Sequence, residues 1–165
     1  MLQLKGNFDY ILSVFFSYLP LVTHLLADPR VDLTEDNFCL VWASAYGHLE
    51  VVKSLLADPR ISDYVDRHEE GPNGEEDITE SIFFEAVTGG HLDIVRFLLD
   101  DPRFNHAIDG SLVTVAKAGN LEILKLLLGN ARVLETVNLW RPEAISESKG
   151  DVRRFLENHA DNLKF

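Results

Sequence analysis

Between Ile61 and Thr79 the chain carries Asp63, Asp66, Glu69, Glu70, Glu75, Glu76 and Asp77 against one base, Arg67. Carboxylates spaced along a loop with a central glycine are what a calcium site requires, with a bidentate glutamate closing the ligand set. In that register Asp66 stands first, Glu70 fifth, Gly71 sixth and Asp77 twelfth. His68 then falls third, where an oxygen donor is needed, and the closing residue is a shorter aspartate, so the set is incomplete and no metal is assigned. Gly71, Pro72 and Gly74 favour turns. The expectation is a solvated acidic loop that attracts a basic partner.

Other residues with chemical potential are few. His48 and His91 each follow a glycine in the same local pattern, and recurrence at equivalent positions argues for a structural role rather than acid–base work. The single cysteine, Cys39, lies among apolar residues and excludes an internal disulfide framework or a thiolate zinc cluster. The chain has no Gly-rich phosphate loop, no Gly-x-Ser-x-Gly elbow, no His-Glu-x-x-His and no Cys-x-x-Cys. No catalytic residue, cofactor site or small-molecule substrate is therefore expected.

The elements that would position any site follow from bulk properties and repetition. With 165 residues, 46% hydrophobic and 25% charged, the chain has a core to bury and is not disordered as a whole. A net charge of −12 argues against a nucleic-acid backbone and for a basic protein partner. Lone-cysteine usage and the lack of an Asn-x-Ser/Thr acceptor fit an intracellular, cytoplasmic setting.

Leu25-Leu26-Ala27-Asp28-Pro29-Arg30 returns as Leu55-Leu56-Ala57-Asp58-Pro59-Arg60 and as Leu98-Leu99-Asp100-Asp101-Pro102-Arg103. A second marker precedes these blocks: Gly47-His48-Leu49-Glu50, Gly90-His91-Leu92-Asp93, Gly119-Asn120-Leu121-Glu122 and a degenerate Gly150-Asp151-Val152. The marker glycines are 43, 29 and 31 residues apart, a period near thirty with one long insertion at 61–79. One domain, 1–165, then holds repeats at approximately 8–33, 34–63, 79–106, 107–135 and 136–160.

Each unit reads as two short antiparallel helices. In the second, Phe38, Val41, Trp42 and Ala45 recur at helical spacing, Gly47 ends the helix, and Leu49, Val52, Leu55 and Leu56 give the next an apolar stripe. Asp-Pro-Arg then reads as punctuation, with proline stopping the helix and the chain running on along the surface.

The stretch from Asp36 to Ile61, with its Gly-His-Leu-Glu-Val-Val and Leu-Leu-Ala-Asp-Pro-Arg segments, resembles the ankyrin repeat. The likeness is to a divergent short-repeat subtype, as in protist and large-DNA-virus ankyrin proteins, in which Asp-Pro-Arg turns replace the usual connector. It covers about residues 8–158, lacks the Thr-Pro-Leu-His opening and runs short of the usual period.

The resemblance implies an all-α solenoid with shortened hairpin loops, a non-catalytic adaptor or scaffold whose concave face and loops grip a protein partner. The positions it selects are Ala45 and Tyr46, Thr88 and Gly89, Lys117 and Ala118, Ser148 and Lys149, with loop residues Thr34, Glu35 and Asp36. Tyr46 is foremost, as an aromatic with a polar tip.

The apolar run from Tyr10 to Leu26 supports a different reading. Phe8, Ile11, Leu12, Phe15 and Phe16 share one helical face and Tyr10, Val14 and Tyr18 another, so 8–26 could self-associate or touch a membrane. Pro20 breaks the run and Asp9 and His24 lie in or beside it, which counts against a span or signal peptide, and the repeat pattern accounts for the segment better.

Overall fold

A computed structural model describes residues 18–28, 38–66, 78–109, 111–130, 133 and 142–158. These residues are helical, with no strand among them. The order is α1 (Leu19–Leu26), α2 (Phe38–Ala45), α3 (Leu49–Leu56), α4 (Pro59–Asp66), α5 (Ile78–Thr88), α6 (Leu92–Leu99), a 3₁₀ turn (Pro102–Phe104), α7 (Asn105–Asp109), α8 (Ser111–Ala118), α9 (Leu121–Leu128), α10 (142–147) and α11 (Gly150–Asn158).

The marker glycines set the pairing. Gly47, Gly90, Gly119 and Gly150 all have positive φ, between 58° and 78°. At the first, the His48 N–H donates to the Ala43 carbonyl at 2.9 Å and the Gly47 N–H to that of Ser44 at 3.3 Å. The same closure joins His91 to Ala86 and Gly90 to Val87. A left-handed residue here satisfies the last carbonyls of the helix and turns the chain back on itself. The pairs α2/α3, α5/α6, α8/α9 and α10/α11 each close around such a glycine.

The pairs stack in register. First helices α2, α5 and α8 pack side by side, as do second helices α3, α6, α9 and α11, with α1 against α3. The shared core runs from Val22 through Leu55, Phe83, Leu98 and Leu124 to Leu156, all at most 2% exposed. Each large aliphatic side chain buried this way contributes roughly 1.5–3 kcal/mol. No pair could bury its apolar stripe alone, so the stack is the fold.

The corners differ from the two-helix expectation. Asp58-Pro59-Arg60 stops α3 but also starts α4, a third helix in place of a surface connector. Proline at a helix start gives up an N–H that would have no partner, and its fixed φ suits the first turn. Asp58 caps that start by accepting from the Arg60 N–H at 3.0 Å. At the second corner Asp101 caps the 3₁₀ turn in the same way, through the Arg103 N–H at 3.1 Å, and α7 follows. At these two corners the described part of the connector is a short helix.

Two further expectations change. The insertion at 61–79 begins as helix, with Ile61 and Val65 buried in the core at 5% and 1% exposure, so it is not acidic loop throughout. Pro20 sits in the first turn of α1 instead of breaking it. Residues 8–17 of the apolar N-terminal stretch, and 67–77 with most of the calcium register, lie outside the described residues. Among the described residues no helix is long and apolar enough to cross a membrane, and no group of three or more His, Cys, Asp or Glu could hold a metal.

Candidate protein-interaction surface

The solenoid has two long faces, and they differ in charge. Each second helix carries equal numbers of acids and bases: Glu50 and Lys53 on α3, Asp93 and Arg96 on α6, Glu122 and Lys125 on α9, Asp151, Glu157, Arg153 and Arg154 on α11. Many pair locally, as Lys53 with Glu50 at 2.7 Å, Lys125 with Glu122 at 3.0 Å and Arg153 with Glu157 at 3.0 Å. The first helices do not balance. No charge lies on α2, Glu80 and Glu85 lie on α5, Lys117 on α8, and Glu143 and Glu147 on α10.

Aromatic rings crowd the same first-helix face. Trp42 on α2 and Tyr46, four residues on in the turn that follows it, are 38% and 46% exposed. Their rings stack at 5.9 Å with 17° between planes, and the His48 ring continues the ladder at 6.3 Å from Tyr46. Trp42 stands at the surface of α2, because the core side of the helix is filled by Cys39, Leu40 and Ala43. Phe84 on α5 is 50% exposed and was not among the expected contact residues. Its sequence position does carry a signal: it lies one turn before Thr88, one of the selected residues.

Phe84 forms one wall of a cleft of about 150 Å³ between α5, α7 and α8, lined also by Glu80, Phe83, Ala107, Ser111 and Thr114. Phe83, Ala107 and Ser111 are its buried floor. The Ser111 hydroxyl donates to the Ile108 carbonyl at 2.7 Å, and the exposed His106 Nε2 lies 3.4 Å from the Glu80 carboxylate.

The other selected residues scatter. Thr88, Gly89, Ala118 and Lys149 are exposed, and Ala45 is half-buried. Its carbonyl accepts from His91 at 2.8 Å when Nε2 carries the proton. Lys117 is exposed but paired with Glu147 at 3.7 Å, joining α8 to α10. Ser148 is a correction: it is 1% exposed and its hydroxyl donates to the Ile145 carbonyl at 2.9 Å, so its side chain is turned inward. Thr34, Glu35 and Asp36 lie outside the described residues.

His91 illustrates why sequence equivalence pointed to structure. Beyond the Ala45 bond, its ring fills the space beside Gly47 and Gly89, where an added Cβ would come within 2.5 Å of it. The histidine therefore holds one helix pair against the previous one.

The two corner arginines do similar work. Arg60 grips Asp58 at 2.7 and 2.9 Å and also donates to the Leu26 carbonyl at 2.7 Å. Arg103 grips Asp101 at 2.6 Å, donates to the Ser62 hydroxyl at 3.0 Å and lies 3.9 Å from Asp66. Hydrogen bonds from Arg60 hold the Asp58 carboxyl below its ordinary range, against an opposing push from burial. At Asp101 burial pushes upward most strongly of the separate influences, but the Arg103 hydrogen bonds and charge together outweigh it, and its carboxyl too is lowered. Asp101 in turn raises Arg103.

No curated protein and no solved structure matches the chain. The profile of ankyrin repeats, in three copies, matches residues 11–109. Ankyrin repeats are generally protein–protein interaction modules and typically not enzymes. That match spans more than half of the sequence and agrees with the stacked helix pairs, and the chain belongs to the ankyrin-repeat family.

Proposed function

We propose that this chain is a single array of five units, 8–33, 34–63, 79–106, 107–135 and 136–160, acting as an adaptor or scaffold in the cytoplasm. It binds a basic protein through the concave face formed by its first helices and loops. The observation that carries the reading is the Trp42–Tyr46–His48 ring ladder, displayed on a face that also holds the unbalanced carboxylates. Large rings with polar tips anchor interfaces because they bury much area at little entropic cost. Among the described residues, the charge-balanced second helices α3, α6, α9 and α11 offer neither feature.

Affinity capture from an extract of the source cells tests this. The wild-type chain is compared with a Trp42→Ala/Tyr46→Ala variant and with a Glu122→Ala/Lys125→Ala control on the opposite face, all first matched for helicity and urea midpoint. A partner held by wild type and control but lost by the ring variant is the expected outcome, each anchor being worth about 2 kcal/mol or more. Equal recovery by all three would remove the first-helix face from consideration.

A further inference from the structure

The cleft beside Phe84 has a chemistry more specific than general stickiness. Of its six lining residues only Glu80 is charged, so it favours a cation over an anion. Glu80 and Phe84 are one turn apart on α5, which puts a carboxylate and a half-exposed ring on the same side of one helix. The floor is Phe83, Ala107 and Ser111, and the Ser111 proton is committed to the Ile108 carbonyl. At about 150 Å³ the cleft is smaller than the roughly 300–1,000 Å³ that encloses a whole small molecule. It is the size of one side chain.

A cation seated between an aromatic face and a carboxylate is best matched by a guanidinium. Arginine is planar, stacks on rings, is less strongly hydrated than an ammonium, and meets a carboxylate with two parallel N–H bonds. Charge elsewhere points the same way. Glu85 lies on the same helix and Glu143 on α10, the single base of the described first helices, Lys117, is paired with Glu147, and the second-helix face is neutral. A basic segment is therefore drawn to the face on which the cleft opens.

We infer that the cleft between α5, α7 and α8 is the seat for an arginine side chain of the partner, its guanidinium stacked on Phe84 and paired with Glu80 in place of His106. This rests on the first-helix face being the binding surface, and it adds both the chemical class of the partner residue and the place that receives it. The Trp42–Tyr46 ladder is a separate anchor on the preceding unit.

The test needs no identified partner. Isotope-labelled full-length protein is titrated with Nα-acetyl-arginine methylamide and, separately, with the leucine and glutamate analogues, following amide and ring resonances. Saturable shifts centred on Phe84, Ser111 and Thr114 are expected with the arginine compound alone. Glu80→Gln and Phe84→Ala should each weaken that binding roughly two- to fivefold, the change set by an exposed ion pair or a surface cation–π contact. Glu122→Gln, which removes the same charge from the opposite face, should leave it unchanged.

Shifts that do not saturate, that arise equally with the leucine compound, or that survive both cleft substitutions would overturn the assignment. If the arginine compound fails while extract capture still depends on Trp42 and Tyr46, the cleft is wrong and the binding face stands. If the compound saturates the cleft but capture ignores the ring variant, the cleft stands as a guanidinium site and the broader reading falls.

Discussion

Two neighbouring junctions in the stack are built from the same repeat but held differently. Where α5/α6 meets α2/α3, polar groups cross the boundary: His91 bonds Ala45, Arg103 bonds Ser62, and the Lys53 ammonium lies 5.9 Å from the Phe97 ring centre. Where α8/α9 meets α5/α6, the residue equivalent to His91 is Asn120, whose side chain accepts from the Ile123 N–H at 3.1 Å within its own helix. The Leu-Leu block of α9 runs into Gly129-Asn130, with no Asp-Pro-Arg corner. First helices also pack more extensively at the earlier junction. A repeat thus fixes where neighbours meet, while single residues decide whether they are stitched or merely packed.

The sharpest way to break this contrast is through three glycines. Gly47 combines a φ of +78° with a His91 ring 2.5 Å from an added Cβ; Gly119 has a φ of +74° with nothing among the described residues within 4 Å; Gly89 has the steric conflict without a positive φ. A left-handed alanine costs about 1–2 kcal/mol, and forcing atoms into filled space about 1–3 kcal/mol. Gly47→Ala should therefore lose about 2–4 kcal/mol in urea unfolding, and Gly119→Ala and Gly89→Ala less. In a His91→Ala background the gap between Gly47→Ala and Gly119→Ala should shrink to within about 0.5 kcal/mol. Equal costs in the wild-type background would mean that the His91 ring swings aside freely and stitches nothing.

The corners give the next largest effect. Arg60→Met would strip Asp58 of its guanidinium and Leu26 of a donor; Arg103→Met would do the same to Asp101 and Ser62. Each should cost about 1–3 kcal/mol, as expected when a largely buried polar group loses its partner. The side chain of Arg103 is less exposed than that of Arg60, at 20% against 33%, so its loss should be the larger.

Acid probes the same contacts. Both aspartates are held below their ordinary value of 3.8, so folding favours their ionised forms. Their contribution is complete above that value and is lost as pH falls through the lower folded values. Urea midpoints followed from about pH 6 down to about pH 2.5 should fall more steeply for wild type than for Asp58→Asn/Asp101→Asn. Hydrogen exchange should show α3, α4 and α6 loosening before α8 and α9. Uniform loosening along the stack would contradict a difference between junctions.

Legibility follows from the range of each interaction. Second-helix stripes and left-handed glycines act within a few residues, so their spacing is readable from sequence. Asp-Pro-Arg was ambiguous because proline ends one helix and begins another with equal ease. What favours the second helix is the Asp58 cap and the burial of Ile61 and Val65 against other elements. Ser148 was misplaced for a related reason. Helical spacing defines a face, but which of its edges is covered depends on the neighbouring unit, and serine can turn its hydroxyl back to its own helix. The cleft was least legible of all, since Glu80, Phe84, Ala107 and Thr114 converge only after three helices pack.

The smallest predicted effect concerns one atom at the stitched junction. Ser44 on α2 is fully buried, and its hydroxyl has no hydrogen-bond partner among the described residues. The equivalent positions before Gly90 and Gly119 are Val87 and Ala116, both buried and apolar, so polarity is not a requirement of the register. An unpartnered buried hydroxyl carries a desolvation cost, and alanine has the higher helix propensity. Ser44→Ala should raise stability by about 0.5–1 kcal/mol, read as a higher urea midpoint with unchanged slope. A loss instead would mean that the hydroxyl bonds an acceptor in solution, making Ser44 another polar stitch at the junction that His91 and Arg103 already hold.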